Sequence, residues 1–157
     1  MSETTPATSL LNQQLDALLY NEHNLIANLS NASALLNQSL EDLNWAGFYL
    51  YQEADDELLL GPFQGNVACV HIQNGAGVCG TAFQTQTTQV VKNVHEFPGH
   101  IACDSASNSE IVVPLTKNGV KIGVMDIDSP SLGRFDDNDR QELEQFAEIL
   151  LKHIDIA

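Results

Sequence analysis

Residues 111–127 read IVVPLTKNGVKIGVMDI, two β-branched runs (111–115 and 120–127) on either side of Asn118 and Gly119. Asn-Gly suits the positive φ angles of a two-residue type I′ turn, so this stretch predicts an antiparallel hairpin. After it, Asp136 and Asp137 are placed to cap a helix whose apolar stripe is Leu143, Phe146, Ala147, Leu150, Leu151 and Ile154, with Lys152 and His153 at its negative end. Before it, residues 97–108 hold Pro, Gly, Ser and Asn and read as a loop, and residues 89–94 read as a short strand. Gly75, Gly77 and Gly80 open a short helix through Thr81, Ala82 and Phe83, and residues 65–72 continue an extended chain. Further back, residues 45–52 and Leu58 to Leu60 flank the charged turn 53–57 as another hairpin. Leucines and alanines at helical intervals over residues 9–40 predict two helical segments, broken near Asn21 or Asn31. The order implies an α+β domain, an antiparallel sheet with helices packed on it.

The 157 residues suit one domain over 1–157, with polar residues 1–8 as a loose tail. Hydrophobic residues make up 43% and charged residues 17%, enough apolar surface to offset the entropy of ordering the chain. Six Lys and Arg against 21 Asp and Glu give a net charge of -15, which argues against nucleic acid and anionic membrane surfaces as partners. No secretory signal opens the sequence and no apolar run approaches the ~20 residues of a membrane span, so a cytoplasmic location is expected. Three cysteines there are expected to be reduced at rest, and an odd number leaves at least one unpaired within the chain.

Cys103 lies in the polar loop beside Asp104 and His100, a setting for an exposed thiol; His100 or backbone N–H groups would support its thiolate and Asp104 would oppose it. Cys69 and Cys79 are both candidates to resolve an oxidised Cys103. By sequence alone Cys69 fits better as a small buried strand residue, and Cys79 sits near a helix N-terminus, which lowers a thiol pKa, but equally fits a packing role. No Cys-x-x-Cys pair or His pair of ligand spacing occurs, so no metal is expected. The glycine run NGAGVCG lacks the residues of a phosphate loop but suits a backbone site for a carboxylate. Asp126 and Asp128 interrupt an apolar strand, and period-two alternation turns both to one sheet face, where like charges raise one pKa. A solvated strand end is the ordinary alternative for Asp128. Glu110, across the hairpin, completes three acids suited to a cationic group such as an amino-acid ammonium.

Through NWAGFYL, LGPFQGNVACVHI, GAGVCGTA, FPGHIACDSASNSEIVVPL, IGVMDIDS and GRFDDND, in that order, residues from about 35 to 150 resemble the free methionine-(R)-sulfoxide reductases, single GAF-domain enzymes. The resemblance implies a cytosolic homodimer whose sheet has helices on one face and a loop-covered substrate pocket on the other. It implies Cys103 as the attacking cysteine, Cys69 as the main resolving cysteine and Cys79 as an auxiliary one. Glu110, Asp126 and Asp128 match acids that hold the substrate and its sulfoxide oxygen, and Trp45 and Tyr49 match aromatics around its methyl end. The expected reaction is thiol-dependent reduction of free methionine sulfoxide through a sulfenic acid and a disulfide, with no bound cofactor and thioredoxin as external reductant. The rival readings are a non-enzymatic GAF module that binds a small molecule or senses oxidation, and a zinc hydrolase.

Overall fold

Side-chain caps set the first two helices in the computed structural model, which describes residues 8–101 and 103–156. Residues 1–7 of the expected tail lie outside the described residues. Ser9 accepts from the Asn12 amide at the start of α1 (Leu10–Leu18), and Asn24 accepts from the Ala27 amide at the start of α2 (Leu25–Ser39). The chain breaks at Asn21, whose φ is 63°, whereas Asn31 lies inside α2. β1 (Trp45–Gln52) and β2 (Glu57–Gly65) form the first hairpin, turning through Asp56 in the left-handed region.

Two sequence expectations are corrected beyond this point. Residues 66–70 are a loop rather than extended chain, and β3 spans only His71–Gln73. The loop's carbonyls are taken by side chains of β1: the indole Nε1 of Trp45 donates to the Asn66 carbonyl (3.2 Å) and the Tyr49 hydroxyl to that of Cys69 (2.9 Å). Acceptors satisfied in this way need no neighbouring strand. After α3 (Gly77–Thr85), β4 covers Gln89–Val91 and stops short of Val94, because the Asn93 side chain accepts from the His95 amide and starts a 3₁₀ turn at Val94–Glu96. β5 (Ser109–Lys117) and β6 (Val120–Ser129) form the expected hairpin, with φ of 52° at Asn118 and 79° at Gly119. Asp136 caps α4 (Asp137–Lys152) in a reciprocal box with Asp139. Ile154 is buried just past the helix end, and Leu151 is half-buried.

The six strands make one antiparallel sheet in the order β3-β2-β1-β6-β5-β4. Alternation sends Ala46, Phe48, Ile111, Val113, Met125 and Ile127 to one face, against Leu15 of α1, Leu29 and Leu36 of α2, and Phe146 and Leu150 of α4. Trp45, Tyr49, Val112 and Val124 point to the other face, against Val78, Ala82 and Phe83 of α3. Burying each large apolar side chain contributes about 1.5–3 kcal/mol. The three-helix face therefore holds most of the core, and the α3 face can accommodate polar groups.

Gly47 makes room for an aromatic stack on that second face. Trp45 stacks on Phe63 (5.0 Å between centroids) and on Tyr49 (5.8 Å), while a Cβ on Gly47 would overlap Phe63 and lie 2.8 Å from the Pro62 carbonyl oxygen. Gly47→Ala is expected to lower stability by about 1–3 kcal/mol through overpacking. Urea denaturation checks this, and an unchanged midpoint would contradict it.

Candidate active site

The sheet register assembles the acids. β6 lies between β1 and β5, so Asp128 is opposite both Glu110 and Trp45, and Asp126 is opposite both Val112 and Gly47. Glu110, Asp126 and Asp128 are 7%, 5% and 8% exposed, so the solvated strand end considered for Asp128 does not hold. Burial, then the charges of Asp126 and Asp128, push the Glu110 pKa well above the usual carboxyl range. Burial, then the charge of Asp126, push Asp128 upward as well, while hydrogen bonds with Glu110 and then Ser107 oppose that rise. The Asp126 and Asp128 carboxyls each keep one buried oxygen, Oδ1, without a hydrogen-bond partner. Such bare acceptors are costly unless a ligand meets them.

Cys69 and Cys103 are joined by a disulfide, with Cα atoms 5.3 Å apart, inside the usual range for a bridge. Cys69 sits in the loop between β2 and β3, not in a strand as its alternative reading required. Cys79, on the first turn of α3, is free and buried, and its Sγ donates to Asp126 Oδ2 at 3.3 Å. The helix N-terminus does not lower its pKa: burial first, and then the Asp126 charge, raise it well above that of a free thiol. His100 is also corrected as a thiolate support. Burial and then His95, whose ring lies 6.2 Å away, lower its pKa, which favours the neutral ring. Asp104 turns its carboxylate to the Ala106 amide (2.9 Å) and the Asn44 side chain (3.0 Å).

These groups share one cavity. Trp45, Tyr49, Cys79, Cys103 and the three acids line it, and Cys69 joins it through the disulfide. Ala68, Ile72, Val78 and Ile101 supply apolar wall. Burial, followed by the nearby charges of Asp126 and Cys79, pushes the Tyr49 hydroxyl far above its ordinary pKa, so it remains a donor to the Cys69 loop.

A sequence profile of the GAF domain matches residues 31–155. The free methionine-R-sulfoxide reductase of Escherichia coli is 54% identical over 142 residues, covering 90% of this chain and 85% of that protein. The fRMsr of Staphylococcus aureus in its reduced form superposes with a TM-score of 0.89 at 54% identity, covering 98% of this chain and 99% of that one. Its complex with substrate gives 0.88 at 52% identity with the same coverage. The chain belongs to the free methionine-R-sulfoxide reductase family of GAF domains.

Within that family's fold, the expected site residues of this chain converge on one cavity, and the sequence reading missed Asn44 and Ser107. Ser107 is one of five serines from residue 105 to 131 and lies in the loop before β5, so its residue type does not mark it as pointing inward. A sulfur of Cys79 and oxygens of Glu110 and Asp126 also lie within 4.8 Å of one another. Cys79 uses its proton in the bond to Asp126, so this cluster holds together as hydrogen-bonded acids. No described helix is long and apolar enough to cross a membrane.

Raised carboxyl pKa values make folding pH-dependent. A group protonated more readily when folded contributes stability below its unfolded pKa, and that contribution is lost as pH rises through the folded value. For Glu110 and Asp128 the loss begins above the ordinary values of 4.5 and 3.8. Glu110→Gln, which keeps the shape without the charge, is expected to gain stability relative to the parent as pH rises above the ordinary carboxyl value of 4.5. Denaturant midpoints at several pH values measure this, and a constant difference across the range would contradict it.

Proposed function

We propose that this chain reduces free methionine-(R)-sulfoxide to methionine in the cavity between the acids and the cysteine pair. The single observation that carries the reading is that a disulfide and a buried acid cluster with bare carboxyl oxygens face the same space. Reduction of a sulfoxide needs these two functions together, a nucleophilic sulfur and an acid for the leaving oxygen.

In the reduced enzyme, Cys103 thiolate attacks the sulfoxide sulfur while Glu110, the acid held protonated by burial, gives its proton to the sulfoxide oxygen. The S–O bond breaks, the oxygen passes to Cys103 as a sulfenic acid, and methionine leaves. Cys69 then attacks the Cys103 sulfur, water departs, and the disulfide forms; Cys79 serves as auxiliary in exchange. An external dithiol, thioredoxin, takes over the disulfide and returns both thiols. Trp45 and Tyr49 hold the Cys69 loop with their polar tips and offer their rings to the methyl end of the substrate.

The ends of the amino acid find opposite environments. The ammonium meets the acids. The carboxylate meets the first turn of α3, where Ala76, Gly77 and Val78 line the cavity and the Ala76 N-cap has no side-chain acceptor for the free amides. Methionine sulfoxide inside a peptide lacks both charges, and leaving their buried partners unpaired costs about 1–3 kcal/mol each. We read residues 1–157 as one such domain, acting in the cytoplasm as a homodimer. Exposed Leu10, Tyr20 and Ile26 on and around the first two helices offer apolar surface for the second copy.

Incubation with both epimers of free methionine sulfoxide and dithiothreitol is expected to consume only the R epimer, and Cys103→Ser to abolish that loss. Without dithiol, Cys69→Ser should release about one methionine per Cys103 and stop. Glu110→Gln should lower kcat by about 10²- to 10⁴-fold. Chiral chromatography reads all three, and a ligand that binds but emerges unchanged would favour the sensing module.

A further inference from the structure

Asn44 and Ser107 connect Asp128 to the nucleophile's loop. The Asn44 backbone amide donates to the Asp128 carbonyl at 3.0 Å, which anchors the residue to the end of β6. Its side-chain Nδ2 donates to Asp104 Oδ2 and to Ser107 Oγ, both at 3.0 Å. The reversed amide would set its carbonyl oxygen against the Asp104 carboxylate, so this orientation is the one the charges select. With one Ser107 lone pair occupied by the Asn44 N–H, the hydroxyl hydrogen goes to Asp128 Oδ2, 3.2 Å away. Ser107 is 6% exposed, so water does not compete freely for that bond.

We infer that Asn44 and Ser107 are positioning residues: the Asn44 amide directs the Ser107 hydroxyl onto Asp128, fixing Asp128 as the anionic contact for the substrate ammonium and tying it to the loop that carries Cys103. The assignment rests on the proposed reaction for its substrate but on geometry for its charge. A hydroxyl donor stabilises the anionic form of a carboxylate. Asp128 Oδ2 has such a donor, whereas Oδ1 is left bare. Glu110, across the strand pair, keeps the proton for the sulfoxide oxygen. Burial and the Asp126 charge act to neutralise Asp128, and the Ser107 hydroxyl is placed to oppose them. The titratable groups that line the cavity with Asp128 are Asp126 from β6, Glu110 from β5, Tyr49 from β1, Cys79 from α3, and Asp104 and His100 from the loop.

Ser107→Ala removes the donor, so Asp128 should titrate at higher pH, which carboxyl carbon NMR of the Cys103→Ser background reads without turnover. KM for free methionine sulfoxide should rise about tenfold or more at neutral pH, the effect of one charge-assisted hydrogen bond, and return toward the parent value as pH is raised and Asp128 ionises unaided. Ser107→Thr, which retains the hydroxyl, should restore both readouts, and Asn44→Leu should reproduce the alanine effects in part. A pH-independent loss in Ser107→Ala, or an Asp128 titration equal to that of the parent, would overturn the inference. If the parent fails to reduce the substrate, the proposed reaction falls, and the NMR titration still decides the role of Ser107.

Discussion

Three carboxyl groups withdrawn from water on one sheet face are the constraint around which the site is built. In solution each would ionise at mildly acidic pH and repel the others. Buried at 5–8% exposure, they must hold a proton among them or admit a cation. Register determines that they meet. Moving β6 by one residue would turn Asp126 and Asp128 into the apolar helix face and Met125 and Ile127 into the cavity. The Asn118-Gly119 turn and the bulge between Leu115 and Thr116, which together fix the β5–β6 register, are therefore part of the chemistry.

The sheet separates stability from function. Its helix side holds fully buried Leu15, Leu29, Leu36, Phe48 and Phe146 in one cluster. Its other side pairs a smaller aromatic cluster with the cavity. The two loops that carry Cys69 and Cys103 are fastened to this second side by side chains of the sheet and its edge: Trp45 and Tyr49 hold one, and Asn44 and Ser107 hold the other. Each loop is thus tethered close to its cysteine, and the two sulfurs can bridge over the acids.

Much of this was legible in the sequence because it rests on local rules. The Asn-Gly turn, the alternation of 120–127 and the Asp136 cap each act through neighbouring residues, and each appears in the structure. The three acids were found because carboxylates in apolar strands violate the pattern around them. What sequence did not give depends on contacts distant in the chain. The 66–70 loop is shaped by hydroxyl and indole groups some 20 residues away, and periodicity does not register such bonds. The raised pKa of Cys79 comes from burial and then from Asp126, 47 residues on, which together outweigh the local helix terminus. Asn44 and Ser107 escaped for the same reason, since their partners lie up to 63 residues apart.

The central claim is that the empty site carries a protonated carboxyl at neutral pH, and infrared spectroscopy of the reduced, substrate-free protein tests it most directly. The account predicts a carbonyl stretch of a neutral carboxylic acid at about pH 7, well above the pH where an exposed carboxyl loses it, and its disappearance in Glu110→Gln. A spectrum containing only carboxylate bands at that pH, unchanged by the substitution, would show all three acids ionised and contradict it.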